Sequence, residues 1–345
     1  GLSGNIIRSY MIYTVAHQSN CVSYAVEKSG GKIGKSLYQA FCHDIELIEK
    51  LLLLKPSLLL DCDLLDDYEP TNINQSTAFN LLIENLDKAQ TSKDKADVFI
   101  NYYRTFGSGD MADYRAFRWD SDEDSLVGIK HFETMKLQDL IGYEYQKQEL
   151  LANTKAFVED KPANNVLLVG ARGTGKSSGV KAVVNSFFDK GLRLVQLTKE
   201  QLIDLPVIME RLRDFSSKKF IIFLDDLSFE EFEVEYKALK SILDGGLEVK
   251  PDNVLFYATS NRRNIIKEVW QDQNMNELHS RDSINEKISL ADRFGIKLFF
   301  DSMDQEQYFR LLENKAEAEG LDIPKEDLRA AAVKWEMSHT GRNGR

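Results

Sequence analysis

Gly170-Ala171-Arg172-Gly173-Thr174-Gly175-Lys176-Ser177 satisfies the phosphate-loop pattern G-x-x-x-x-G-K-[ST]. These residue types at this spacing suit anion chemistry. Glycines let successive backbone N–H groups curl around phosphate oxygens, and a following helix offers its positive end. Lys176 is placed to reach β- and γ-phosphates and Ser177 to ligate Mg²⁺, with Ser178 opening the helix behind them. Both neighbours that the motif requires are present. Val166-Leu167-Leu168-Val169 is a short apolar β-type run, and residues 178–188 read as a helix.

A second cluster lies about 50 residues on. Phe220-Ile221-Ile222-Phe223-Leu224-Asp225-Asp226 is a buried-strand pattern ending in two carboxylates, and ligands of open α/β sheets bind at the carboxyl ends of strands. Asp225 is the candidate for the Mg²⁺ shell. Asp226 is the candidate to orient an attacking water. The next apolar run ends in Ala258-Thr259-Ser260-Asn261-Arg262-Arg263, where Asn261 points to the same crevice as a partner for the γ-phosphate or the water. Glu286-Lys287-Ile288-Ser289-Leu290-Ala291-Asp292-Arg293-Phe294-Gly295 precedes the last apolar run.

The elements that must position these residues alternate. Strands are expected at 166–169, 192–197, 220–224, 254–258 and 296–300, with helices at 144–157, 178–188, 199–213 (disturbed by Pro206) and 229–243. Such alternation predicts a parallel, three-layer α/β sheet covered on both faces. Residues 305–319 and 325–338 read as helices of a small cap. Upstream, helices are expected at 36–54, 77–88 and 93–103; residues 1–36 give little. Gly30-Gly31-Lys32-Ile33-Gly34-Lys35-Ser36 imitates a phosphate loop with the wrong spacing and no strand before it, and reads as a turn. Tyr114-Arg115-Ala116-Phe117-Arg118-Trp119 is expected as an aromatic patch packing one domain on the next, with base stacking as its alternative. Residues 120–124 are expected as an acidic domain edge.

Composition narrows the class. A hydrophobic share of 43% with 29% charged residues is that of an ordinary soluble globular protein. The longest apolar run, residues 51–60, is broken by Lys55-Pro56, so no membrane span is expected. Cys21, Cys42 and Cys62 lack ligand spacing and are odd in number, which points to reduced thiols in a cytoplasmic protein. A net charge of −11 argues against broad electrostatic binding of nucleic acid while permitting a local basic site.

The order of parts resembles the AAA+ ATPases. Asp139-Leu140-Ile141-Gly142 is similar to the segment that lies along the adenine in that family, which makes Ile141 a nucleotide contact. Asn261 matches the first sensor position. Asp292-Arg293-Phe294 resembles the element whose arginine finger enters a neighbouring subunit's site, which implies a homo-oligomer. Gly341-Arg342-Asn343-Gly344-Arg345 looks like the second sensor of the lid, with Arg342 first and Arg345 as substitute. Blocks across residues 114–345, including Pro-Ala-Asn-Asn-Val-Leu-Leu, Asp-Asp-Leu-Ser-Phe-Glu-Glu and Leu-Asp-Gly-Gly-Leu-Glu, resemble a bacterial AAA+-related family of unknown function described as ATP-binding.

The resemblance implies an α/β P-loop NTPase core (131–302) between an N-terminal mainly helical domain (1–130) and a partial helical lid (303–345). It implies ATP and Mg²⁺ as cofactors and hydrolysis coupled to remodelling of a protein client. Two departures stand out. Asp226 replaces the usual glutamate base and is one methylene shorter, so slow turnover is expected, with Glu230 or Glu231 as further carboxylates. The chain also opens on Gly1 and stops at Arg345, where a further lid helix is expected. The alternatives are a nucleotide-gated switch with little hydrolysis and a DNA-associated ATPase of the helicase-loader kind, which the Asp-Asp pair and Arg262-Arg263 favour. A small-molecule kinase has no acceptor motif in its support.

Overall fold

The computed structural model describes residues 2–60, 62–69, 76–227, 234–245, 250–261, 290–301 and 304–338. At its centre is a seven-stranded sheet in the order β2-β1-β4-β5-β6-β3-β7. The strands are β1 (Ala116–Asp120), β2 (Ser125–Gly128), β3 (Val166–Gly170), β4 (Leu192–Leu197), β5 (Lys219–Leu224), β6 (Val254–Ser260) and β7 (Ile296–Phe300). Every pairing is parallel except the β1–β2 hairpin. This is the three-layer, mostly parallel α/β core expected from the sequence.

The apolar runs form strands because both of their faces are covered. Along β5, Phe220, Ile222 and Leu224 enter one core while Ile221 and Phe223 enter the other, the two-residue alternation of a strand. The first face packs on α9 (Leu205–Arg213) and α10 (Val234–Leu243) through Ile208, Leu212 and Leu239. The second packs on α7 (Glu144–Val158) and α8 (Lys176–Phe187) through Leu150, Phe157, Val180 and Val184. Each fully buried side chain of this kind stabilises by roughly 1.5–3 kcal/mol. Pro206 lies in the first turn of α9, where its missing N–H costs nothing. The helix pattern before it resolves into a 3₁₀ turn at Glu200–Asp204.

The hairpin corrects two expectations. Residues 114–119 are not an inter-domain patch. They contain β1, which pairs with β4 and sends Phe117 and Trp119 into the sheet core. The acidic stretch 120–124 is not a linker but the turn joining β1 to β2, with Asp124 at φ 46°. Arg118 faces solvent on the strand while Arg115 stacks over Phe188, so neither interleaves with an exposed aromatic.

The N-terminal unit comprises α1 (Ile6–His17), α2 (Cys21–Lys28), α3 (Lys35–Leu52), α4 (Thr77–Lys88), α5 (Ser92–Thr105) and α6 (Asp110–Asp113) around their own core. The first two escape a periodicity reading because α1 is apolar on several sides and α2 spans only eight residues. Their caps are nevertheless well made: Asn5 accepts from Arg8 N, and Asn20 forms a capping box with Ser23. The unit is docked on the amino-terminal ends of the strands by two buried side chains. Arg193 of β4 donates to the carbonyls of Phe106, Met111, Phe188 and Leu192. Lys218, just before β5, donates to the Tyr103 and Arg104 carbonyls at the end of α5.

Two helices follow the sheet, α11 (Gln305–Ala318) and α12 (Lys325–Ser338). Tyr308, Leu311 and Ala332 form their small core, and Ile141 and Tyr143 pack against it. Arg329 ties the pair by bonding Glu313 at 2.8 Å. Among the described residues no helix is long and apolar enough to cross a membrane.

Candidate functional site

Strand β3 delivers the glycine-rich loop at its carboxyl end. Gly170 lies so close to β7 that a Cβ there would meet the Phe300 carbonyl oxygen at 2.0 Å, so only glycine fits. Gly173 and Gly175 have φ of 78° and 84°, conformations that fold the loop back over the start of α8. Thr174 is buried and donates to the Ala171 carbonyl, bracing the loop from within.

Lys176 opens α8 and is only 5% exposed. Its Nζ donates to the carbonyls of Gly170 (2.9 Å) and Ala171 (2.7 Å) and to Asn261 Oδ1 (3.1 Å). Burial pulls its pKa below the ordinary lysine value, while Asp226 and Asp225 pull it back up. Beside it, the Ser177 hydroxyl donates to Asp225 Oδ1 at 2.6 Å.

Adjacent strands bring the other groups in. β6 lies between β3 and β5, so Asn261 at its end stands between the lysine and the acidic pair. Asn261 Nδ2 donates to Asp226 Oδ1, and the same carboxylate's other oxygen accepts from Arg172 at 3.5 Å. Asp226 has φ 56°, a left-handed conformation that Asp tolerates better than most residues.

Thr259 is a residue to which the sequence reading gave no role. It lies two positions before Asn261 and so on the same side of β6. Its Oγ1 donates to Asp225 Oδ1 at 2.7 Å and accepts from the Asp226 backbone N–H at 2.9 Å. One hydroxyl thereby fixes the Asp225 carboxylate and the backbone of Asp226. The signal in the sequence was a polar residue at i and i+2 on an otherwise apolar strand.

These groups line one cleft of about 510 Å³ together with the segment Asp139, Leu140, Ile141, Gly142 and Tyr143. Lys147 of α7 closes the back of that segment, donating to the Leu140 carbonyl at 2.7 Å. From the other side α11 contributes Leu311 and Lys315, one helical turn apart. Neither belongs to a recognisable motif, since only the packing of the two-helix cap brings them here. The cleft thus gathers Ile141, Arg172, Gly173, Thr174, Gly175, Lys176, Ser177, Ser178, Asp225, Asp226 and Asn261.

Arg293 does not line this cleft; it forms an ion pair with Asp244 of its own chain. Arg342, Arg345, Glu230, Glu231, Arg262 and Arg263 lie outside the described residues.

The donor set fits Mg²⁺. A hydroxyl and a carboxylate oxygen 2.6 Å apart are hard ligands, and Mg²⁺ is usually held by one or two carboxylates plus phosphates rather than by a protein cage. No cluster of three or more His, Cys, Asp or Glu suited to a metal occurs among the described residues.

A glycine-rich loop between strand and helix, an acidic strand end and a polar strand end beside it define the class: a P-loop α/β fold. The chain belongs to the family described as Protein of unknown function (DUF815), which matches residues 112–345. No curated protein sequence matches the chain. Among solved structures, the RuvB Holliday junction branch migration motor of Thermotoga maritima is similar over 57% of this chain and 58% of its own, at 17% identity and a TM-score of 0.39. Two single-residue variants of that motor match over the same shares, one at 17% identity and TM-score 0.40, the other at 16% and 0.41. The chain spans 58% of the length of these structures.

Proposed function

We propose that the cleft binds Mg·ATP and that the protein is an AAA+-type ATPase. The observation that supports this most is the convergence of Lys176, Ser177, Asp225, Asp226 and Asn261 through direct hydrogen bonds at the carboxyl ends of three adjacent strands. Lys176 would exchange its bonds to loop carbonyls for β- and γ-phosphate oxygens. The loop N–H groups and the start of α8 would take the remaining phosphate charge. Ser177 and Asp225 would hold Mg²⁺, which when bound neutralises charge on the phosphates. Asp226 would orient a water, with Asn261 reporting the γ-phosphate to it. Ile141, Tyr143 and Leu311 form the apolar end of the cleft, suited to a purine ring.

Arg293 would complete the site of a neighbouring subunit in a homo-oligomer, since it stands off its own cleft. The division into helical N-terminal unit, core and lid belongs to the same proposal, with the β1–β2 hairpin counted in the core. A client remodelled by the ATPase and a cytoplasmic location complete it. A second reading, a switch that hydrolyses ATP rarely, is favoured by one observation: both oxygens of Asp226 are already engaged, by Asn261 and Arg172.

Steady-state turnover tests the proposal. Lys176→Ala is expected to abolish ATP hydrolysis, and mixing it with an inactive Arg293→Ala variant is expected to restore activity through shared sites. Wild-type turnover in Lys176→Ala would refute the ATPase. Full activity of Arg293→Ala alone would remove the shared site. ATP binding with negligible turnover in the wild type would select the switch.

A further inference from the structure

The end of α3 runs into a segment, residues 51–69, whose leucines face water. Leu53, Leu58, Leu59 and Leu64 are 81%, 71%, 65% and 77% exposed, and Leu51 and Leu60 are about half exposed. Single exposed leucines are ordinary, but six of them between residues 51 and 64 mark an interaction surface.

The segment is held in this pose. The Leu54 carbonyl accepts from Asn5 Nδ2 at 2.8 Å, and Gly4 and Tyr68 exchange backbone hydrogen bonds at 2.8 and 3.0 Å. Within the loop, Ser57 donates its N–H and hydroxyl to the Asp66 carboxylate at 2.9 and 2.6 Å. Bonds at both ends and across the middle fix a backbone that turns the leucines outward.

The surface continues into a groove of about 570 Å³ between α1, α3 and α5. Ile12, Val15, Ile45, Ile48, Leu52 and Phe99 make its apolar wall, and Leu53 belongs both to the groove and to the exposed group. On the rim, Arg8 pairs with Asp87 and Lys95 with Glu49. The balance of charge comes from the sequence of the loop: Asp61, Asp63, Asp66, Asp67 and Glu69 stand against a single base, Lys55, between residues 51 and 69.

We propose that this groove and leucine loop dock a basic amphipathic helix of a partner protein. An apolar strip would enter the groove and cover Leu53, Leu58 and Leu59, while flanking Lys or Arg would meet the exposed carboxylates of Asp63, Asp67 and Glu69. The charge sign selects this occupant. An anionic lipid surface would be repelled by the same carboxylates, and a second copy of this chain would bring two acidic loops together. The surface lies in the part of the chain that precedes the family match at residue 112, and it stands apart from the nucleotide cleft.

The test uses the full chain and a dye-labelled amphipathic Leu/Lys peptide of about five helical turns, read by fluorescence anisotropy. Controls are a Leu/Glu peptide of the same apolar pattern and a Lys peptide with serine in place of leucine. The Leu/Lys peptide is expected to bind and both controls to fail. The triple variant Leu53→Ser/Leu58→Ser/Leu59→Ser is expected to weaken binding about tenfold or more with its thermal melt unchanged, because these side chains are already solvated. Asp63→Asn/Asp67→Asn is expected to weaken it less and to flatten its salt dependence. Equal affinity in the triple variant, or equal binding of the Leu/Glu peptide, overturns the proposal. So does sedimentation with anionic vesicles, or a wild-type dimer in sedimentation velocity, that the triple variant abolishes.

Discussion

Two lysines at opposite ends of the sheet make nearly the same contacts and do different things. Lys176, at the carboxyl ends of the strands, donates to two backbone carbonyls and Asn261. Lys218, at the amino-terminal ends, donates to two backbone carbonyls and Ser217 Oγ. Burial pulls both pKa values down. The difference is what lies beyond. Lys176 opens on a cleft with Asp225 and Asp226 across it, so its carbonyl bonds can be exchanged for phosphate. Lys218 is sealed, with Arg193 also depressing it and Glu27 opposing. A buried lysine is therefore functional or structural according to whether its partners can be replaced by a ligand.

The largest effect should come from the sealed lysine. Lys218→Ala leaves the Tyr103 and Arg104 carbonyls without their donor and removes the positive charge that opposes the burial of Glu27, and is expected to cost on the order of 2–5 kcal/mol in urea unfolding. Lys176→Ala frees its two carbonyls and Asn261 into a cleft that water can enter and should cost clearly less stability than Lys218→Ala, while ATP affinity falls on the order of 100-fold. If the two variants lose similar stability, the contrast between the ends of the sheet is wrong.

Next in size is Thr259→Val, which keeps the shape of the strand but removes the hydroxyl that fixes Asp225 and Asp226. Turnover is expected to fall about tenfold or more with ATP affinity changed much less, since the loop and Lys176 are untouched. A uniform rise in KM with unchanged kcat would mean that Thr259 only supports binding.

The smallest effect is the pH response of the cleft. Phosphate binding favours the protonated Lys176, so affinity is full below the pKa of the free protein and falls as pH rises through it. Because burial lowers that pKa, ATP affinity measured by titration should begin to fall below the ordinary lysine value of about 10.4. Affinity that stays flat up to that value would place Lys176 in a more solvated state.

The chemistry-bearing half of the chain was legible because its signals are local. Residues 170–177 name themselves by glycine spacing, and the five apolar runs at 166–169, 192–197, 220–224, 254–258 and 296–300 all became parallel strands. The β1–β2 hairpin was not legible: five residues with Arg118 among aromatics satisfy a surface patch as well as a strand, and only pairing with β4 decides between them. The first helix was missed for the opposite reason, because α1 has apolar residues on several faces and so no single stripe, and α2 spans only eight residues, too few for its periodicity to stand out.

By itself, then, the sequence determined the phosphate loop, the strand ends that face it and the alternation that makes a covered parallel sheet, each signal being local to a few consecutive residues. The tertiary structure alone decided the rest. It placed β6 between β3 and β5 and so put Asn261 between Lys176 and Asp226. It brought Lys315 and Leu311 into the cleft from α11 and paired Arg293 with Asp244. It also separated Lys176 from Lys218. Each of these depends on contacts between residues far apart in the chain, set by which surfaces bury together and not by any neighbour in sequence.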